Sequence, residues 1–257
     1  MSQTLVLTPE GDVDTTTTAS GLQVVACGLP RTGTTTIGLA LAILLDGTVL
    51  DGIQDTFLHG TASQQQEFLR MNTLAPDDPE LLPLIEHILT SRLPYKATTD
   101  APFTSYVSEL ITLYPDAKFV CTIRPFEPWY AFFTNIQHSF TLLVPYAWLW
   151  PSLRRCIGCV ESGWKNRLRK RCISYAIPAG RKLLESPVFD KELLKDVWDT
   201  HIQHLRETVP ERQLLMFDVR DGWKPLCDFL GKPVATKMIG KDDGSGDFEE
   251  VELEFPH

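Results

Sequence analysis

The sequence predicts an α/β fold: a single three-layer domain in which a central, mainly parallel sheet is flanked by helices. Two observations lead to this prediction. Short runs rich in β-branched residues alternate along the chain with segments of helical spacing. Several of these runs are apolar on both faces, as strands of a covered parallel sheet are. With 257 residues, of which 43% are hydrophobic, the chain is long enough to bury a large core.

The first predicted elements are a strand and a helix separated by a glycine-containing loop. Residues 22–27 (LQVVAC) form a β-branched run that ends at Gly28, which suits a buried strand. Residues 34–45 (TTTIGLALAILL) are apolar nearly all round. They therefore predict a helix packed inside the protein rather than one lying on its surface.

The middle of the chain continues the alternation. Residues 95–102 (YKATTDAP) are expected to be a strand running into a loop. Residues 117–123 (AKFVCTI) predict a second buried strand, which is followed by Arg124 and broken at Pro125. Helical spacing of apolar residues predicts helices at 81–91, 105–113 and 127–139.

The last third predicts a long helix at 192–208, a third clear strand at 213–219 and a helix at 223–230 that stops at Gly231. The acidic, glycine-rich segment that follows is expected to be exposed or only loosely docked. The predicted organisation is a flexible lead-in at 1–21, the α/β domain at 22–240 and an acidic tail at 241–257.

Composition excludes several classes of partner. Twenty-four basic against 33 acidic residues give a net charge of -9, which argues against a nucleic-acid or anionic-membrane surface, so any anion site must be local.

The N-terminus lacks the pattern of a secretory signal, which favours a cytoplasmic location. Residues 140–150 (FTLLVPYAWLW) fall short of the roughly 20 residues that a transmembrane span needs. They are expected to be core or the wall of an apolar pocket, with an interfacial membrane anchor as the alternative.

The cysteines predict neither disulfides nor a metal site. Without an export signal, free thiols are expected. Cys156 and Cys159 form a CxxC pair, but zinc needs a second pair. The six cysteines are Cys27, Cys121, Cys156, Cys159, Cys172 and Cys227.

The loop at residues 28–35 (GLPRTGTT) carries the strongest functional signal. Strand, glycine-rich loop and helix together point successive backbone N–H groups and a helix N-terminus at one anion. Gly28 and Gly33 have the GxxxxG spacing of a phosphate-binding loop, but Thr34 and Thr35 stand where nucleotide hydrolases have Lys and then Ser or Thr. Arg31 supplies a cation instead. A turn that binds no ligand is the alternative.

Three stretches of the chain resemble sulfotransferases that use the phosphosulfate donor PAPS, in particular a branch with a GRTGTTSL-like loop. They are VVACGLPRTGTTTIGLAL at 24–41, DAKFVCTIRPFEPWYAFF at 116–133 and ERQLLMFDVRDGWKPLCDFLGKPV at 211–234. The resemblance implies a P-loop-type fold and metal-independent transfer of a sulfuryl group from PAPS to a hydroxyl of a small acceptor, with a phenol as one candidate.

The same resemblance assigns the donor site. Arg31 takes the place of the catalytic lysine of other sulfotransferases, and Arg124 that of the arginine for the donor's 3′-phosphate. Where the family usually has a serine after that arginine this chain has Phe132, and Pro125 replaces an acidic residue. The 5′-phosphosulfate would be held by Gly28, Arg31, Thr32, Gly33, Thr34 and Thr35.

Three residues are candidates for the acid or base. Asp51, in GTVLDG, stands where many relatives have a histidine, and Asp100, in TTDAP, matches an aspartate on the acceptor side. His201 matches a histidine of the family's long penultimate helix. A turn, a helix cap and a packing position are the respective structural alternatives. Since an unperturbed aspartate has a pKa of about 4, Asp51 would suit an acidic phenol better than an alcohol.

Two other functions stay open. The fold could have lost donor binding and now catalyse a rearrangement, cyclisation or elimination, or only bind a ligand. A kinase-like or nucleotide-hydrolysing enzyme ranks last, because the lysine and the Mg²⁺-holding hydroxyl are out of place. The basic cluster at 165–182 could attract an anionic substrate or be a solvated helical face. No pattern decides whether the protein is a homodimer.

Overall fold

A computed structural model describes residues 21–143, 191–240 and 248–256. Its centre is a five-stranded sheet of order β2-β3-β1-β4-β5, in which all neighbouring strands run parallel. The strands are β1 Val24–Ala26, β2 Val49–Asp51, β3 Ala97–Thr99, β4 Lys118–Thr122 and β5 Leu214–Phe217. The predicted α/β fold with a central parallel sheet is confirmed.

Helices follow the strands in the alternation that the sequence predicts. Those described are α1 Thr34–Leu45, α2 Ala62–Thr73, α3 Leu81–Thr90, α4 Val107–Leu113, α5 Phe126–Leu143, α6 Lys191–Thr208 and α7 Trp223–Leu230. Single π- or 3₁₀-helical turns lie at Gln54–Leu58, Phe103–Ser105, Glu211–Gln213 and Val219–Asp221. The predicted bounds of α1 and α7 are those of the structure, and Gly231 ends α7 in the left-handed conformation with φ 68°.

The sheet separates two apolar layers, because successive side chains of a strand point to opposite faces. Val24 and Ala26 pack with α1 and α7, for example against Leu41 and Leu226. Val25 packs into the other layer, whose buried residues from α2, α3, α4 and α6 include Phe68, Ile85, Leu110 and Leu205. Helices thus cover both faces, which makes the domain three-layered.

The strand order places a crevice at the carboxyl ends of β1 and β4. From β1 the chain moves to β2 at one edge, whereas from β4 it moves to β5 at the other. In open α/β sheets, ligands bind outside the carboxyl ends of the strands at such a switch point. The loop after β1 begins at Gly28, and Arg124 follows β4, so both predicted anion contacts lie at this crevice.

Two elements in the first third of the chain were missed in the sequence. Residues 49–51, expected to be part of a turn, form β2, of which only Leu50 is buried. Helix α2 is polar, but Thr61 and Gln64 form a capping box at its start: Gln64 Oε1 accepts from Thr61 N at 2.6 Å, and Thr61 Oγ1 accepts from Gln64 N at 3.4 Å. The Thr-x-x-Gln spacing was a signal that could have located this helix.

The end of the chain is docked, in contrast to the loose tail that was expected. Strand β6 Thr236–Gly240 pairs antiparallel with β7 Phe248–Glu252. Beyond β7, Phe255 is buried, and its ring centroid lies 4.8 Å from that of Trp223. The Trp223 indole Nε1 donates to the Leu253 carbonyl at 2.6 Å. An acidic composition did not reveal this aromatic anchor.

Several predictions fall outside the described residues. These are the lead-in at 1–20, residues 144–150 of the apolar segment, the basic cluster at 165–182, and Cys156, Cys159 and Cys172. In the part of the chain that is described, no helix is long and apolar enough to cross a membrane. The three described cysteines, Cys27, Cys121 and Cys227, are buried free thiols.

Candidate active site

Close packing shapes the loop between β1 and α1, residues 28–33. A Cβ added to Gly28 would lie 2.0 Å from Thr122 Oγ1 and 2.8 Å from the backbone N and O of Thr122. Gly33 has φ 108°, and a Cβ there would lie 2.6 Å from Val219 Cγ1. Only glycine fits either position, since the neighbours of Gly28 are backbone atoms and Gly33 is left-handed. Both glycines of the GxxxxG spacing are therefore required by the fold.

The N-terminus of α1 is suited to bind an anion. No side chain caps it, and its first turn has no acidic residue. The first N–H groups of a helix lack intrahelical partners and carry partial positive charge, so they attract anions. Thr35 is exposed in this turn. Arg31 is also exposed, and its backbone is left-handed at φ 74°.

The buried hydroxyls of the loop hold its shape. Thr32 Oγ1 donates to the Leu29 carbonyl at 2.7 Å and lies 2.6 Å from Thr122 Oγ1. Thr34 Oγ1 donates to Asp100 Oδ2 at 2.9 Å. Thr32 and Thr34 are both buried. Their side chains thus tie the loop to β4 and to the end of β3.

Phe132 lies beside both arginines of the predicted donor site. Its ring centroid is 4.3 Å from Arg31 Cζ and 5.6 Å from Arg124 Cζ, and the residue is 38% exposed. A guanidinium over an aromatic face is held by cation–π attraction. The residue that departs from the family pattern therefore links the two cations predicted to bind the donor.

Asp100, predicted as a candidate base, directly follows β3. Its Oδ1 accepts from Ala101 N at 2.6 Å, and its Oδ2 accepts from Thr34 Oγ1. Burial raises the pKa of this carboxyl, while the two hydrogen bonds and the positive charge of Arg31 act in the opposite direction. Both oxygens are engaged, so Asp100 serves first to connect β3 to α1.

Asp51, the other predicted carboxylate, ends β2 on the neighbouring strand. Burial raises its pKa to about 6, and the carboxylates of Asp100 and Asp55 add to the rise. Its Oδ1 accepts from the backbone N–H groups of Ile53 and Gln54 at 3.0 and 2.8 Å. Among the described residues, its Oδ2 accepts from Gln54 Nε2 alone, at 3.3 Å. Asp51 therefore shapes a turn and also retains an oxygen that can accept a proton near neutral pH.

His201, the third candidate base, lies on α6. Its Nε2 is 2.8 Å from the Cys27 carbonyl, at the start of the loop. Helix α6 packs on the face of the sheet opposite α1. No described contact joins His201 to Asp51 or Asp100, so its position suits support of the loop.

Sequence reasoning missed Thr122 and Trp129. Trp129 is buried, and its Nε1 donates to the Pro30 carbonyl at 2.8 Å. Neither residue has a local signal, because the partners of Thr122 and Trp129 in the loop are 90 and 99 positions away. Among the described residues no group of three or more His, Cys, Asp or Glu side chains could hold a metal ion.

Comparison with known proteins identifies the family. A sulfotransferase domain family model matches residues 23–257. A curated relative, "Ava biosynthesis cluster protein M" of Aspergillus versicolor, is 26% identical over 157 residues, which cover 56% of this chain and 52% of the relative. The chain thus spans about half the length of this relative. A solved structure, the sulfotransferase domain from the Synechococcus PCC 7002 olefin synthase, covers 82% of this chain and 73% of its own at 17% identity and a TM-score of 0.35. The match over 23–257 shows that the chain belongs to the sulfotransferase domain family.

Proposed function

We propose that this protein transfers a sulfuryl group from PAPS to a hydroxyl of a small acceptor. The observation that carries the proposal is that an anion site and a proton acceptor adjoin at one edge of the sheet. The uncapped N-terminus of α1 and Arg31 form the anion site. Asp100 connects it to Asp51, because it contacts Thr34 of α1 and its charge raises the pKa of Asp51.

The two arginines and the helix N-terminus fit a polyanionic donor. The protein has a net charge of -9, so its overall electrostatic field repels anions. These positive groups attract an anion locally. Arg31 and the N–H groups of the loop would hold the 5′-phosphosulfate, and Arg124, at the end of the next strand, the 3′-phosphate. These groups need no metal ion, so activity should persist in a chelator.

In the proposed reaction, Asp51 Oδ2 takes the proton of the acceptor hydroxyl. The acceptor oxygen forms a bond to sulfur, and the bond between sulfur and the bridging phosphate oxygen breaks. Adenosine 3′,5′-bisphosphate leaves with the electron pair, and a sulfate ester is formed. Arg31 and the N–H groups of α1 stabilise the negative charge that develops on the leaving phosphate, because they are oriented before the reaction begins.

Even with a pKa raised to about 6, Asp51 suits a phenolic acceptor better than an aliphatic alcohol. A phenol has a pKa of about 10, so a base with a pKa of about 6 is closer to it than an unperturbed carboxylate is. Aliphatic alcohols are much weaker acids than phenols. We therefore place a phenol before an aliphatic alcohol as the acceptor.

A second candidate function is supported by Asp51 and Phe132. The turn bonds to Asp51 Oδ1 are those of a structural residue, and Phe132 has no hydroxyl for a 3′-phosphate. A protein that keeps the fold without binding the donor could catalyse a rearrangement, cyclisation or elimination, or bind a ligand. This candidate predicts that adenosine 3′,5′-bisphosphate does not bind.

Calorimetric titration with adenosine 3′,5′-bisphosphate separates the two candidates. Sulfuryl transfer requires micromolar binding by the metal-free protein and a loss of about tenfold or more in Arg31→Ala and in Arg124→Ala. Arg212→Ala is the matched control, because Arg212 is exposed before the amino end of β5, at the opposite edge of the sheet. No binding by the wild-type protein, or an equal loss in Arg212→Ala, would contradict the proposal.

A further inference from the structure

Three backbone carbonyls between residues 27 and 30 contact polar side chains, one from the loop itself and two from other elements. The Cys27 carbonyl lies 2.8 Å from His201 Nε2 of α6. The Leu29 carbonyl accepts from Thr32 Oγ1 at 2.7 Å, and the Pro30 carbonyl accepts from Trp129 Nε1 of α5 at 2.8 Å. The bonds from α5 and α6 come from residues 99 and 174 positions away. The loop is thus fixed from outside as well as by its own sequence.

A held carbonyl also fixes the N–H group of the next residue. The peptide unit is planar and trans, so the carbonyl of one residue and the N–H of the next point in opposite directions. The bond to the Cys27 carbonyl therefore orients the N–H of Gly28, and the bond to the Pro30 carbonyl orients the N–H of Arg31. A reversed peptide plane would present a carbonyl, with its partial negative charge, to the anion.

We infer that Trp129 and His201 are positioning residues that set the N–H groups of the loop for anion binding. The inference rests on the proposed function, since the anion is the phosphosulfate end of the donor. Trp129 is well placed for this role because its ring is buried against Trp198, with centroids 5.0 Å apart. The indole N–H consequently has little freedom to leave the Pro30 carbonyl.

His201 acts on the other end of the loop in the same manner. A carbonyl oxygen only accepts, so the Nε2 of His201 carries the hydrogen. Helix α6 also supplies Trp198, which means that one helix supports both contacts. Arg31, which follows Pro30, has a left-handed backbone that this anchoring helps to maintain.

The test uses Trp129→Phe, which keeps an aromatic ring and removes the N–H donor. Its matched control is Trp223→Phe, since Trp223 is another buried tryptophan, and its indole Nε1 donates to the Leu253 carbonyl rather than to the loop. We expect Trp129→Phe to weaken binding of adenosine 3′,5′-bisphosphate about fivefold to tenfold, the equivalent of one lost hydrogen bond. The control should bind like the wild type, while both variants unfold at similar temperatures. Equal affinities of the two variants would overturn the inference.

A second pair of variants tests His201. His201→Gln retains an N–H donor and should keep most of the affinity, whereas His201→Leu should lose about as much as Trp129→Phe. A role in packing alone predicts the reverse, because leucine replaces an apolar surface better than glutamine does. That reverse order would also contradict the inference.

Amide hydrogen exchange in the ligand-free protein distinguishes failure of this inference from failure of the proposed function. The N–H of Thr32 donates to the Leu29 carbonyl at 3.3 Å, so it reports on the loop without any ligand. We expect it to exchange faster in Trp129→Phe than in Trp223→Phe. If the wild type does not bind adenosine 3′,5′-bisphosphate, the proposal of sulfuryl transfer is contradicted. The exchange rate of the Thr32 N–H then decides by itself whether Trp129 holds the loop. Unchanged exchange and affinity would rule out a positioning role.

Discussion

At the residue scale, the paired carboxylates give the site its chemical character. Asp51 and Asp100 end neighbouring strands, and each raises the electrostatic cost of ionising the other. Both oxygens of Asp100 accept hydrogen bonds, from Ala101 N and Thr34 Oγ1. Among the described residues, Asp51 Oδ2 accepts a single long hydrogen bond. The environment therefore favours Asp51 as the proton acceptor.

This difference predicts the pH dependence of the proposed sulfuryl transfer. A base must be ionised, and burial raises the pKa of Asp51 to about 6, so kcat/KM should fall about tenfold per pH unit below pH 6. Asp51→Asn should remove most of the activity at every pH. Asp100→Asn should retain activity and move the acidic limb to lower pH, because a neighbouring negative charge is removed. If Asp100→Asn is inactive and Asp51→Asn is active, Asp100 rather than Asp51 is the proton acceptor.

The raised pKa of Asp51 also makes the stability of the fold depend on pH, in the direction opposite to the dependence expected for activity. A carboxyl whose folded-state pKa is raised stabilises the fold in its protonated form. That contribution is present below the unfolded pKa of about 4 and is lost as the pH rises through about 6. The turn bonds of Asp51 oppose this loss in part, since they stabilise the carboxylate. Asp51 thus lowers the stability of the fold at neutral pH, where the proposed reaction needs its carboxyl group to be ionised.

At the element scale, α1 shows which properties of a helix its own sequence predicts and which it does not. Its bounds were predicted, but its nearly uniform apolar sequence also predicted a helix buried on all sides. Leu39 is 51% exposed and Ile43 42%, whereas Ile37 and Leu41 are completely buried. A helix on a sheet buries only the stripe that faces the strands. Which stripe that is depends on the sheet.

Two leucines two positions apart on α1 provide a matched test of this geometry. Leu41→Ala should lower the free energy of unfolding by about 2–5 kcal/mol, because it leaves a cavity against the sheet. Leu39→Ala, the same change on the exposed side, should alter it by less than about 0.5 kcal/mol. Urea denaturation measures both. Comparable losses would mean that Leu39 is covered in solution.

The elements that were missed are short or polar. β2 has three residues, and parallel pairing to β3 stabilises it rather than its own composition. α2 has a mostly polar sequence and buries Phe68 and Met71 in the layer that α3 and α4 share. Its capping box was visible in the sequence, so α2 was predictable, whereas β2 was not.

At the scale of the whole molecule, the end of the chain closes one of the two apolar layers. Phe255 is 8% exposed and packs with Phe217 of β5 and Trp223 of α7. Trp223 Nε1 also donates to the Leu253 carbonyl. The last described residues thus cover the apolar layer in which α1 packs. That layer in turn supports the N-terminus of α1.

Phe255→Ala should therefore destabilise the whole domain. We expect a loss of about 3 kcal/mol in the free energy of unfolding, as for other buried aromatic residues cut back to alanine. Glu252→Ala, on the exposed surface of β7, is the control and should change it by less than about 0.5 kcal/mol. Chemical denaturation followed by tryptophan fluorescence measures both. A loss below 1 kcal/mol for Phe255→Ala would mean that the end of the chain contributes little to the core.

The sequence by itself determined the α/β class, most strand and helix positions, the glycine-rich loop and its arginine, because these depend on local patterns of 2 to 12 residues. Only the tertiary structure decided that Phe132 lies beside both arginines and that Trp129 and His201 hold the loop. The physical reason is that the two contacts with the loop join residues 99 and 174 positions apart. Such pairs have no periodicity in the sequence, and the order of strands in the sheet brings them together.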